Sequence, residues 1–364
     1  MGELRLMKGN EVLAEAAIRC GCDGYFGYPI TPQSEVMETL MMRAPWEETG
    51  MVVLQAESEV AAINMLYGAA ATGKRVMTSS SSPGISLMME GISYIAGAEL
   101  PCLVVNVQRG GPGLGTIQPS QADYFQSTKG GGHGDYKMIV LAPSSVQEMN
   151  DFVDLAFELA FKYRNPAMIL TDGAIGQMME KVELSDFKSR WTNQEVEQKW
   201  GSWATLGKPP TREKNIITSL ELDSGKMERN NLRFQKKYRE MEATEQRYEM
   251  IMCEDAEYVF VAFGTSARVC QKSVEIAREK GFKVGLLRPV TLYPFPAKAV
   301  KELCSHAKGF LSVEMNAGQM IEDVKLAVHE AGSFVPVDYF GRLGGIIPTP
   351  GEVMDALEEK FLKN

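Results

Sequence analysis

The chain has only three histidines, His133, His306 and His329, far apart in sequence, which disfavours a histidine metal site or a Ser-His-Asp triad. Its six cysteines, Cys20, Cys22, Cys102, Cys253, Cys270 and Cys304, include no C-x-x-C pair, so the usual ligand spacing of a zinc site or an iron–sulfur cluster is missing. No dense Lys/Arg stripe occurs, and 38 basic against 47 acidic residues leave a net charge of −9. Nucleic acid and anionic membrane are therefore not expected as partners. The most apolar stretch, Gly84 to Val107, is broken by Glu90, Glu99 and Pro101, and the first residues, Met-Gly-Glu-Leu-Arg-Leu, do not form a signal peptide. A cytoplasmic chain with no membrane span is expected.

What is present is ordinary globular composition, with 45% hydrophobic and 23% charged residues over 364 positions. At about 100–200 residues per domain, that length predicts two domains. Asn10 is placed to cap a helix with Val12, Leu13, Ala16 and Ala17 on one face, and Gly21 to end it. Short apolar runs follow at Tyr25–Tyr28, Met51–Leu54, Arg75–Met77, Cys102–Val107, Met138–Leu141 and Ala167–Leu170, each read as a strand buried on both faces. Helical stretches between them predict a mostly parallel, doubly wound α/β sheet, whose ligands bind beyond the strands' carboxyl ends.

After Val182 the composition turns polar, with Trp191, Trp200 and Trp203 and then a charged run from Lys226 to Glu249. Met227, Phe234, Met241 and Tyr248 recur every seven residues with Tyr238 between them, which predicts an amphipathic helix of roughly 33 Å. An arm packing on its own domains is favoured over a partner coiled coil, because Asn231 and Glu245 weaken the second core position. Alternation resumes at Val259–Phe263, Gly264-Thr265-Ser266, Val284–Leu287, Phe310–Val313 and Phe334–Tyr339, predicting a second, smaller α/β domain. The expected division is 1–185, a linker over 186–250, and 251–364.

Four segments fall at the expected carboxyl edge. In Tyr28-Pro29-Ile30-Thr31-Pro32, Thr31 reads first as an N-cap with proline at the first helical position, and second as a hydroxyl facing a ligand. In Glu57-Ser58-Glu59 the acids suit a helix N-terminus, but Glu59, followed by Val60, Ala61 and Ala62, is also set for an apolar environment that suits proton shuttling. Thr78-Ser79-Ser80-Ser81-Ser82-Pro83-Gly84 offers hydroxyls and backbone N–H groups that either cap a helix or hold an anion or polar ring. Gln108-Arg109 and the glycines Gly110, Gly111, Gly113 and Gly115 lack the context of a dinucleotide fingerprint and read as a loop open to a ligand, with Arg109 as its cation. Gly130–Gly134 with His133 forms a second flexible loop, its histidine structural or exposed rather than a base.

In order and spacing, Gly27–Pro32, Glu57–Glu59, Ser79–Gly84 and Arg109–Gly111 resemble the alpha subunits of the 2-oxoacid:ferredoxin oxidoreductases, in particular the short chains of the branched-chain, 2-oxoisovalerate type. The resemblance covers nearly the whole chain. It implies a first domain binding the aminopyrimidine end of thiamine diphosphate and a second domain like the C-terminal domain of transketolase. It implies that Glu59 bonds the pyrimidine nitrogen, with Pro29, Ile30, Ser81 and Ser82 around the cofactor, and that Thr31 and Arg109 meet the 2-oxoacid. The Gly-Asp-Gly signature for Mg2+ and diphosphate is missing, since Gly134-Asp135-Tyr136 and Thr171-Asp172-Gly173 do not fit it. Mg2+ and the [4Fe-4S] clusters are thus expected on partner chains: beta, gamma and a ferredoxin-like delta subunit, in a dimer of hetero-oligomers using coenzyme A and ferredoxin. The resemblance to the short chains, not to the longer alpha chains with a fused gamma domain, leads to the expectation of a separate gamma subunit. The alternatives are 2-oxoglutarate or pyruvate as substrate, a non-oxidative thiamine enzyme of the transketolase class, and a non-catalytic scaffold.

Overall fold

Strand and helix alternate from Gly9 onward in the computed structural model, which describes residues 3–362. The first half supplies β1 Glu3–Lys8, β2 Gly24–Gly27, β3 Val52–Gln55, β4 Val76–Ser80, β5 Cys102–Gln108, β6 Ile139–Leu141, β7 Pro166–Asp172 and β8 Met179–Leu184. The second supplies β9 Tyr248–Ile251, β10 Tyr258–Val261, β11 Val284–Pro289, β12 Thr291–Tyr293, β13 Gly309–Glu314 and β14 Val337–Gly341.

A seven-stranded sheet runs β12-β6-β7-β5-β4-β2-β3, parallel except for β12, and a five-stranded sheet runs β14-β13-β10-β11-β9, parallel except for β9. Apolar strands such as Cys102–Val107 are buried along their whole length, because helices Ser82–Gly97 and Val146–Tyr163 pack against the sheet around them. A β1–β8 antiparallel ribbon closes the flank of the first domain.

Several expectations need correction. Asn10 lies inside the helix Gly9–Arg19, where it is buried and donates to Pro32 O (2.7 Å) and Glu35 Oε2 (3.0 Å). The run at Met51–Leu54 is the sheet's edge strand, with Val52 50% and Leu54 37% exposed. Thr31 is not a cap: residues 30–33 form a turn in which Gln33 N donates to Ile30 O (3.0 Å), and the helix starts at Ser34. Strands β1, β8, β9 and β12 were not anticipated.

The charged run forms the helix Ser224–Thr244, whose Phe234, Tyr238 and Met241 are buried against the first domain. Tyr248 of the seven-residue series leaves this helix and enters β9. Next to Phe234 and Tyr238 in the middle of the helix, Lys237 and Arg233 pair with Glu99, Lys237 at 3.2 Å. The arm thus packs on its own chain.

Candidate active site

In the first sheet β3 and β4 flank β2, so a crevice opens where the loops after β2 and β4 diverge. Ser58 caps the helix Glu59–Ala70, its Oγ accepting from Ala61 N (3.2 Å). Glu59, the first residue of that helix, is freed from capping and is only 7% exposed. Its burial does not come from its sequence neighbours, since Val60 is 45% exposed. It comes from the first turn of the helix Ser82–Gly97 across the crevice. A Cβ at Gly84 would stand 2.8 Å from Glu59 Oε1 and 2.1 Å from Ser80 Oγ, so only glycine lets the two helix starts approach this closely. Among the described residues, Glu59 has no hydrogen-bond or ion-pair partner.

The hydroxyl row divides by role. Ser79 is structural, bonded to Tyr25 OH (2.8 Å) and Gln33 Oε1 (2.6 Å). Ser80 and Ser81 are fully buried with hydroxyls that find no partner, and Ser81 makes no side-chain cap bond to the helix it precedes. Buried polar atoms are normally satisfied. The Ser80 hydroxyl and the unpartnered Glu59 carboxylate meet at Gly84, and Glu59 keeps its hydrogen-bonding capacity for a polar ring brought to this junction.

Ser82, the first residue of the helix, joins this row to the neighbouring loop. Its Oγ donates to Asp123 Oδ2 (2.5 Å) and accepts from Arg109 N (3.1 Å). Arg109, 8% exposed, donates through Nη1 to Thr31 O (3.0 Å) and through Nη2 to Leu114 O (2.9 Å), while its Nε is buried without a partner. Thr31 and Arg109, 78 residues apart in sequence, are thereby joined. Thr31 and Pro29 are exposed and Ile30 is half-buried.

The glycine loop folds back on itself. Gly110 N donates to Gln118 O (2.9 Å), and a Cβ at Gly115 would lie 1.8 Å from Gly110 O, so its glycines serve the tight return as well as access. The loop walls a cavity of about 610 Å³ with Ser82, Arg109 and Asp123 on the first domain and Met315, Asn316, Gln319 and Leu343 on the second. His133 lies elsewhere. It is exposed, edge-on to Tyr94 at 6.4 Å, beside a separate cavity.

Two participants, Asn106 and Asp123, escaped the sequence reading, and Gly84 was read as part of a turn without its contact to Glu59. Asp123 Oδ2 accepts from Ser82 and from Asn106 Nδ2 (2.9 Å). Burial pushes its carboxyl above the ordinary range, with those two hydrogen bonds pulling the other way. A single Asp in Ser120-Gln121-Ala122-Asp123 carries no spacing signature, because the backbone return pairing Arg109 with Pro119 is what delivers it. Asp172, read as part of a failed Mg2+ motif, caps the helix after β7 and accepts from Thr265 Oγ1 (2.8 Å) of the second domain.

Residues 15–252 match the family model described as pyruvate flavodoxin/ferredoxin oxidoreductase, thiamine diP-bdg, and residues 256–353 match pyruvate:ferredoxin oxidoreductase core domain II. The chain is 49% identical to the ketoisovalerate oxidoreductase subunit VorB of Methanothermobacter thermautotrophicus, over 98% of this chain and 97% of that one. It is 37% identical to the 2-oxoglutarate synthase subunit KorA of Methanocaldococcus jannaschii, over 98% and 99%. A solved 2-oxoglutarate:ferredoxin oxidoreductase from Magnetococcus marinus superposes with a TM-score of 0.83 at 26% identity. The match takes in 98% of this chain and 65% of that longer one. A split gene transketolase shares the fold at a TM-score of 0.57 and 13% identity. The chain therefore belongs to the 2-oxoacid:ferredoxin oxidoreductase family, as one of its thiamine-dependent subunits.

Proposed function

We propose that the chain is the alpha subunit of an oxidoreductase in which a 2-oxoacid, with 2-oxoisovalerate favoured, coenzyme A and oxidised ferredoxin give acyl-CoA, CO2 and reduced ferredoxin. The 49% identity to a ketoisovalerate oxidoreductase subunit, against 37% to a 2-oxoglutarate synthase subunit, supports the choice of substrate.

The observation that carries the reading is Glu59, a carboxylate 7% exposed and without a partner among the described residues, meeting the orphaned hydroxyl of Ser80 at Gly84. Thiamine diphosphate supplies a carbon acid and, in its own amine, the base that ionises it. Glu59 would bond the pyrimidine nitrogen and pass a proton there, with Pro29, Ile30, Ser81 and Ser82 forming the rest of the cradle. Arg109, which lines the cavity, would receive the substrate carboxylate on the N–H groups not taken by Thr31 O and Leu114 O, and Thr31 would present its hydroxyl alongside. Partner subunits would hold Mg2+, the diphosphate and the [4Fe-4S] clusters, and ferredoxin would dock on them. Residues 1–185 would form the pyrimidine domain, 186–250 the linking arm and 251–364 the transketolase-like domain.

In the reconstituted complex, Glu59→Gln should lower turnover by about 10²–10⁴-fold, the range of general acid–base catalysis, while subunit assembly persists. Near-normal turnover would remove the role. Rates with 2-oxoisovalerate, pyruvate and 2-oxoglutarate test the substrate, and a preference for either of the latter two would displace the branched-chain reading.

A further inference from the structure

The second sheet reverses its build-up at β10, with β11 on one side and β13 on the other. Loops after β10 and β13 diverge at such a point and leave a crevice, where doubly wound sheets bind ligands. Here the crevice lies between Phe263–Ser266 after β10 and Met315–Asn316 after β13, and Gln121 of the first domain fills it, fully buried. Gln121 Nε2 donates to Phe263 O (2.8 Å), and its Oε1 accepts from Ser266 Oγ (2.8 Å) and Met315 N (3.1 Å). Its backbone N donates to Met315 O (3.0 Å), and its carbonyl accepts from Asn316 Nδ2 (2.8 Å). Such matching is what a bound ligand would receive, and here a residue of the same chain receives it.

Two residues on, Asp123 holds Ser82, and Ser82 holds the backbone of Arg109. We propose that Gln121 is a positioning residue: the second domain grips residues 119–123 through it, and the Asp123–Ser82 contact passes that placement to Arg109. The inference rests on the reading of Arg109 as the partner of the substrate carboxylate. It gives the second domain a task, to set the substrate arginine from a crevice that the chain itself fills.

The test uses the reconstituted complex with Gln121→Met, which keeps the volume and removes the side-chain hydrogen bonds, and Ser266→Ala, which removes one bond from the second-domain side. Arg109→Ala is the reference, and KM for 2-oxoisovalerate, kcat and melting temperature are measured for each. Gln121→Met should raise KM about tenfold, within the coupling range of residues sharing one hydrogen-bond network, and Ser266→Ala about two- to threefold. In both, kcat should hold, the mark of lost binding rather than lost chemistry. A purely structural role would lower melting temperature and active fraction at unchanged KM, and that outcome overturns the inference. If KM rises for Arg109→Ala but not for the other two, the inference alone falls. If it fails to rise even for Arg109→Ala, the reading of Arg109 falls and the inference with it. Should Gln121→Met fail to assemble, Ser266→Ala decides.

Discussion

Glu59 is buried by a glycine, and the consequence can be tested at that glycine. Gly84→Ala would place a methyl group 2.8 Å from Glu59 Oε1 and 2.1 Å from Ser80 Oγ. Overpacking of this kind typically destabilises by about 1–3 kcal/mol, and here it also displaces the carboxylate. We expect turnover to fall at least about tenfold with thiamine diphosphate bound more weakly, read by calorimetric titration of the complex. Unchanged affinity and turnover would mean that the Glu59–Gly84 approach is incidental. At this scale the sequence was readable at Gly21, which with a φ of +77° ends its helix, but the local caps expected at Asn10 and Thr31 do not form, and the cap at Ser58 was not read. It was not readable where function depends on what arrives from elsewhere. Val60 seemed to bury Glu59 and does not, and Asp123 meets Ser82 across 41 residues.

Among the elements, the charged arm Ser224–Thr244 depends on few contacts. Tyr238 and Met241 are buried at 2% and 0% exposure, so Met241→Ala should destabilise by about 2–5 kcal/mol, seen as a lower denaturation midpoint. An effect under about 0.5 kcal/mol, that of a surface substitution, would mean the arm is not packed this way. Acid should loosen the same element. Burial works to raise the Glu99 carboxyl, but Lys237 and Arg233 outweigh it and hold the group below its ordinary 4.5. Burial pulls the Lys237 ammonium down, though its ordinary 10.5 lies far above this acid window. Between the lowered folded value and 4.5 the unfolded chain binds a proton that the folded chain does not, so stability is present above 4.5 and falls as the pH drops below it. The protection of amides across 224–244, measured as exchange relative to the intrinsic rate at each pH, should fall in that window, and Glu99→Gln should weaken that fall. Protection that stays constant with pH in the native chain would contradict it. The seven-residue apolar spacing sufficed to predict this helix, whereas its exit at Thr244 into β9 depends on pairing with β11, a partner about forty residues on that periodicity cannot reveal.

Over the whole molecule, the two α/β layers follow from alternation of strand and helix, and the helix Gly9–Arg19 and the strand Gly24–Gly27 were visible as an apolar face and a short apolar run. The joint between the sheets was not. β12, three residues long, crosses from the second half to pair antiparallel with β6 at the edge of the first sheet, and Thr265 bonds Asp172. Such pairings are set by which edge is open after folding, not by local propensity. They bring the loops of both halves around one cavity beside the crevice that holds Glu59. The central claim is that Glu59 activates the cofactor, and the most direct measurement is the rate of deuterium exchange at C2 of thiamine diphosphate bound to the assembled complex. With Glu59→Gln the exchange should slow by about 100-fold or more while the cofactor stays bound. Exchange at the native rate in that variant would contradict the account.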